Sequence, residues 1–136
     1  MKHLLDTNTC IAYLKDHPVV VPRLLHKRPN ALYLCAPVKA ELLYGARKSQ
    51  QSARNLLRLE QFFSPFQSFA FDEVCLTAYA EIRTDLERAG TPIGPIDLII
   101  AAIAKTHDLT LVTNNTGEFS RVSGLKLEDW TQQETP

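Results

Sequence analysis

An α/β fold on a mainly parallel central sheet is predicted for this chain of 136 residues. Three observations carry the prediction. Short apolar stretches at 3–5, 32–36 and 109–112 have the length and composition of buried strands. Segments with apolar residues at helical spacing stand between them. The two kinds of segment alternate, and that alternation gives parallel strands joined by right-handed helical crossovers. No stretch reads as a linker, repeat or low-complexity tract, so one domain over 1–131 with a short tail, 132–136, is expected.

The first strand runs into Asp6. "DTNT" is rich in capping side chains, so a helix carrying Ile11 and Leu14 on its apolar side begins there and stops at His17-Pro18. A short helix follows at 22–27, then a turn at Arg28-Pro29-Asn30. After the strand at 32–36, Pro37 suits the first turn of a helix with Val38, Leu42 and Leu43 on its apolar side. Gly45 weakens that helix, and the segment continues to Phe63 with Leu56, Leu59, Phe62 and Phe63 at helical spacing. Residues 66–71 alternate as a third strand. Asp72 caps a long helix bearing Ala78, Ile82 and Leu86, and Gly90 ends it. Beyond the loop "TPIGP", the segment 98–107 is apolar on nearly all faces, which makes it a buried helix. The strand 109–112, the polar loop "TNNTGEF" and a last short strand before Trp130 complete the chain.

Composition narrows the function. Equal numbers of basic and acidic residues, 15 of each, argue against a strongly basic, non-specific nucleic-acid binder. They leave room for an acidic metal pocket with basic residues on its rim. Cys10, Cys35 and Cys75 lie far apart and are odd in number, so free buried thiols in a reducing cytoplasm are expected. The N-terminal segment is broken by Asp6 and Lys15 and is no signal peptide. The apolar run 98–104 is too short to cross a membrane.

Ligands in open α/β sheets bind at the C-terminal edge of the strands. Asp6 ends the first strand, Asp97 opens the buried helix, Glu41 lies one turn into the helix after the second strand, and Glu118 follows the strand 109–112. All four can approach one edge. Asp6, Glu41 and Asp97 have apolar neighbours in sequence, which argues against full exposure. Clustered carboxylates repel one another, and burial raises their cost. An oxygen-only donor set favours Mg²⁺ or Mn²⁺ over zinc, and such an ion suits phosphate chemistry. Each acid also has a plainer reading. Asp6 and Asp97 could be helix caps, Glu41 a surface residue, Glu118 a loop acid, and Thr113, Asn114 and Asn115 a turn. The four histidines show no metal-ligand spacing, and no Gly-rich phosphate loop is present. Arg47, Lys48, Arg54 and Arg58 form a basic run that is either a solvated helix face or a surface for RNA phosphates.

The segments "LLDTN", "APVKAELLYGARKS", "GPIDLIIAAIAKTHDLTLVTNN" and "EFSRVSGLKLEDW", taken in order, resemble a PIN domain and more narrowly the VapC toxins of bacterial toxin–antitoxin pairs. The resemblance implies a three-layer α/β/α fold and an endoribonuclease dependent on Mg²⁺ or Mn²⁺. It maps the family's acids onto Asp6, Glu41 and Asp97. A fourth aspartate of many PIN domains falls near Asn115, and Glu118 is taken as its substitute. Asn8 and Thr113 match polar positions that line such sites. The resemblance further implies a cognate VapB antitoxin that blocks the site, operator DNA bound only through that antitoxin, a homodimer, and an RNA substrate such as tRNA. Two rival readings are a PIN-like module that binds without cutting, and a phosphoryl-transfer enzyme with the aspartate of "LLDTN" as nucleophile.

Overall fold

The computed structural model describes residues 1–133; the end of the expected tail, 134–136, lies outside the described residues. Strand β1 (His3–Leu5) is central, with β2 (Leu32–Cys35) on one side and β4 (Thr110–Val112) on the other. β3 (Gln67–Phe69) extends the sheet beyond β2, and β5 (Leu127–Glu128) extends it beyond β4. Every pairing is parallel: His3 registers with Leu32 and Thr110, and Leu5 with Val112. All residues of β1, β2 and β4 are buried. Burial on both faces is why these strands read as near-continuous apolar runs, with only His3 and Thr110 polar, and it requires helices on both sides of the sheet.

Helices α1 (Thr7–Leu14) and α2 (Val20–Leu25) link β1 to β2. α3 (Ala36–Arg47) and α4 (Ser52–Phe63) link β2 to β3, and α5 (Leu76–Arg88) and α6 (Pro95–Thr106) link β3 to β4. The single turn α7 (Thr116–Phe119) leads toward β5. The chain thus leaves β1 toward β2 and leaves β4 toward β5, in opposite directions across the sheet. The crevice beyond the C-terminal ends of β1 and β4 is therefore the topological switch point, where such folds bind ligands. Asp6 follows β1 directly and Thr113 follows β4 directly. Two contacts to the Val112 carbonyl fasten these ends together, from the Asp6 N–H at 3.0 Å and the Thr9 hydroxyl at 2.8 Å.

The core is densest along α6, where Ala101, Ala102, Ile103 and Ala104 are fully buried. Ile103→Ala removes side-chain volume there, with an expected loss of about 2–5 kcal/mol in chemical denaturation. A loss under about 1 kcal/mol would contradict this packing. At the far side of the sheet, His3 Nε2 lies 3.0 Å from Glu128 Oε2, and the Trp130 indole N–H donates to Glu128 Oε1 at 3.1 Å. Glu128 thereby pins the last strand and the buried Trp130 to β1.

Several local features differ from the sequence expectations. α1 stops at Leu14, before His17-Pro18, because Asp16 takes a left-handed conformation (φ 59°). The Asp16 and His17 N–H groups then donate to the Tyr13 and Ala12 carbonyls, a Schellman ending built on aspartate where glycine is usual. Asp108 (φ 53°) closes α6 the same way, and Gly90 (φ 71°) closes α5 as expected. α2 begins two residues before Pro22, because His17 Nδ1 accepts from the Val19 and Val20 N–H groups. The helical segment that continues from α3 is broken at 48–51, where the Ser49 hydroxyl donates to the Ala46 carbonyl and accepts from the Asn55 amide. Ile11 and Leu43, expected on buried faces, are 39% and 40% exposed. Asp72 precedes a short 3₁₀ turn and makes no side-chain cap to it. The loop "TNNTGEF" contains α7, held in place by the fully buried Phe119.

Candidate active site

Asp6 is the best-anchored acid of the site. It is 4% exposed and is the N-cap of α1, with Oδ1 accepting from the Thr7 N–H at 2.8 Å. Its Oδ2 accepts from the Thr113 hydroxyl at 2.8 Å and from the Asn8 amide at 3.1 Å. Burial pushes the Asp6 carboxyl above its ordinary value, against the opposing pull of these three hydrogen bonds. The Thr113 hydroxyl is fully used, since it also accepts from the Asn8 amide at 3.2 Å and the Asn115 N–H at 3.0 Å. The Asn8 carbonyl oxygen accepts from the Asn114 N–H at 3.1 Å. The loops after β1 and β4 are thus stitched together around one carboxylate.

Asp97 stands in the first turn of α6, two residues after Pro95, whose fixed φ suits a helix start. Its carboxyl is pushed up to about 7, first by burial and then by the negative charges of Glu118 and Asp6, with Glu41 adding to the effect. Glu118, on α7, behaves oppositely. The Gly94 N–H donates to its Oε1 at 2.7 Å and the Asn115 amide to its Oε2 at 2.9 Å. These bonds, in that order of size, hold Glu118 below the usual carboxylate range. Glu41 projects from α3 and is exposed, contrary to the expectation drawn from its apolar sequence neighbours; the buried flank of that helix belongs to Val38, Leu42 and Ala46.

Asp6, Asn8, Glu41, Asp97 and Asn115 share a recess of about 310 Å³, walled by Ile11, Ile96 and Ile100. Its lining has three carboxylates and no lysine, arginine or histidine. Glu118, expected as the fourth acid of the set, interacts with Asp97 but is not part of this lining. Among the described residues, no three His, Cys, Asp or Glu side chains already stand ready to hold an ion. An acid-only donor set fits a hard cation that takes one or two carboxylates and keeps much of its water, as Mg²⁺ does. The burial and the neighbouring negative charges that raise the Asp97 carboxyl are what such a cation would offset.

Arg47 and Lys48 are exposed at the end of α3 and line neither the recess nor the groove beside it; Lys48 lies over the Tyr44 ring, 4.9 Å from its centroid. That groove, about 410 Å³, adjoins the recess at Ile11 and Glu41 and carries Lys15 and Arg58. Sequence reading missed two contributors. Thr9 is buried and ties α1 to β4. Gly94 supplies the N–H that holds Glu118. Gly94 precedes the helix-opening Pro95 and could have been noticed; nothing local marks Thr9. Cys10, Cys35 and Cys75 are free and buried, as expected. Among the described residues no helix is long and apolar enough to cross a membrane.

The PIN domain family profile matches residues 3–125. A tRNA(fMet)-specific endonuclease VapC of Shigella flexneri is 40% identical over 131 residues, covering 96% of this chain and 99% of the relative. Among solved structures, DNA-bound VapBC from Salmonella typhimurium contains a chain 38% identical with a TM-score of 0.89, covering 96% of this chain and 98% of that one. VapBC2 from Rickettsia felis, bound to a DNA fragment from its promoter, gives 38% identity and a TM-score of 0.85, with 96% and 99% covered. Family profile, full-length relatives and the parallel five-stranded fold agree: this chain belongs to the PIN-domain family, among its VapC ribonucleases.

Proposed function

We propose that this chain is the toxin of a type II toxin–antitoxin pair, an endoribonuclease that hydrolyses RNA phosphodiester bonds with Mg²⁺ or Mn²⁺. One observation carries the reading. Three carboxylates from three separate elements line one recess without a basic side chain, at the switch point of the sheet. Asp6 and Asp97 would hold the ion. When bound, a divalent ion would supply a water of lowered pKa and neutralise charge on the phosphate. Glu41, free on the recess wall, is placed to orient a water and take its proton. Glu118 supports Asp97 from behind, and Asn8, Thr113 and Asn115 fix the surrounding loops.

The recess has no histidine to activate a ribose 2′-hydroxyl. Direct attack of water leaves a 5′-phosphate and a 3′-hydroxyl. The substrate is RNA, and the name of the Shigella relative supports tRNA as its class. The VapBC complexes among its structural neighbours support a VapB-type antitoxin as partner, with operator DNA bound through it, and a homodimeric toxin is part of the same reading. Arg47 and Lys48 are kept as contacts to RNA phosphates outside the recess. Three free buried thiols support a reducing, cytoplasmic setting.

Purified protein incubated with total tRNA should cut only when Mg²⁺ or Mn²⁺ is present and stop on chelation. End-mapping should find 5′-phosphates. Cleavage that persists in chelator, or ends in a 2′,3′-cyclic phosphate, overturns the mechanism.

A further inference from the structure

We propose that Asn115 and Glu118 form an amide–acid clamp that positions Asp97, and that the clamp works only when one of the two residues is an acid and its partner presents a donor to it. The proposal rests on the ribonuclease reading of the recess and assigns Glu118 a role within it. Glu118 is a positioning residue: both its oxygens are engaged by the protein, and it does not line the recess.

Four hydrogen bonds run in series across the site. The Thr113 hydroxyl donates to Asp6, the Asn115 N–H donates to the Thr113 oxygen, the Asn115 amide donates to Glu118, and the Gly94 N–H donates to Glu118. The series begins at one principal acid and ends at the residue from which α6 starts, three positions before the other. A β-carbon built on Gly94 would lie 3.6 Å from Glu118 Oε1 and 3.8 Å from Asp97 Oδ2, so both carboxylates converge beside Gly94. Fixing Glu118 therefore fixes the start of α6 and the place of Asp97.

The polarity of the clamp is set by its ends. The Gly94 N–H is a donor and demands an acceptor at Oε1. The other Glu118 oxygen then needs a donor from position 115, which the Asn115 amide provides at 2.9 Å. An aspartate at 115 would put two carboxylates at that distance, opposing acceptor to acceptor and charge to charge. Glutamine at 118 reverses the demand: its oxygen serves Gly94 and its NH₂ faces 115. There it meets an aspartate in a charge-assisted bond, whereas an asparagine offers it only a neutral amide pair.

The test is a double-mutant cycle of wild type, Asn115→Asp, Glu118→Gln and the double variant. RNA cleavage at saturating Mg²⁺ and melting of the metal-free protein are both measured. Asn115→Asp should lose about tenfold or more in kcat, since small misplacements of a reacting group are costly. Its melting point should fall by about 3–6 °C. Glu118→Gln, which leaves the pair without an acid, should lose about threefold to tenfold in kcat while keeping the apparent Mg²⁺ affinity within about threefold of wild type. Adding Glu118→Gln to Asn115→Asp should restore both kcat and melting to near wild type; if the single variant does not fold, recovery of folding in the double is the rescue. The clamp is overturned if Asn115→Asp behaves as wild type, or if the double variant is no better than Asn115→Asp in either readout. A tenfold loss of Mg²⁺ affinity in Glu118→Gln overturns it too, because that result makes Glu118 a ligand. Absence of cleavage by the wild type would remove the ribonuclease reading, while the melting cycle would still decide the clamp.

Discussion

Asp6→Asn is expected to lower RNA cleavage by about a thousandfold or more, a loss on the scale of removing a central electrostatic group from an active site. The melting point should move by no more than a few degrees. The two readouts separate because Asp6 has two roles. As an N-cap it accepts the Thr7 N–H, and asparagine caps a helix about as well as aspartate. As an anion it contributes charge to the recess, and asparagine contributes none. The structural cost is also bounded. With its oxygen kept on the Thr7 N–H, the asparagine sets its NH₂ in place of Oδ2, against two existing donors, the Thr113 hydroxyl and the Asn8 amide. Against that stands relief from a buried carboxylate whose charged form burial already disfavours. Equal cleavage by wild type and Asp6→Asn would reduce Asp6 to a cap and remove the metal site. A variant that is inactive because it no longer folds would show it in the melting curve.

Legibility in the sequence followed burial on both sides of an element. β1, β2 and β4 are covered on both faces, so each left a mainly apolar run, interrupted only by His3 and Thr110, and was read within a residue or two. The long buried helix α6 was legible for the same reason. Helix ends were harder, because Asp16 and Asp108 adopt the left-handed conformation that glycine usually signals. α7 was hidden because one helical turn leaves no periodicity; only the buried Phe119 marks it. At the site, strand order made the acids converge, so alternation alone pointed to Asp6 and Asp97. The exposure of Glu41 was not legible, since its apolar neighbours Ala40 and Leu42 say nothing about which way the helix turns. The engagement of Glu118 with Gly94 depends on two loops brought together from 24 positions apart.

Asp97→Asn should stabilise the metal-free protein at neutral pH while weakening its grip on the ion. The folded-state pKa of Asp97, about 7, lies above its ordinary 3.8, so the native state holds a proton that the unfolded chain has already released. The stability contributed by that proton is fully present below about pH 4 and is lost as pH rises toward 7. At pH 7.5 wild type therefore carries a destabilising charge that asparagine lacks. Asparagine can also donate to Glu118, as the protonated acid does. Asp97 is partly exposed, so solvent screens the effect to about 1–2 kcal/mol, or roughly 3–6 °C in melting for a domain of this size. The gain over wild type should shrink as pH falls below 7 and vanish near pH 4. Ion binding carries the opposite sign. A cation must displace the proton, so the wild-type affinity for Mn²⁺, read from its melting shift, should rise about tenfold per pH unit up to pH 7 and then level off. In Asp97→Asn that dependence should be flat and the affinity low throughout. A variant that melts below wild type at pH 7.5, or a wild-type affinity that does not change between pH 5.5 and 7, would show that Asp97 is not the proton-holding acid of the site.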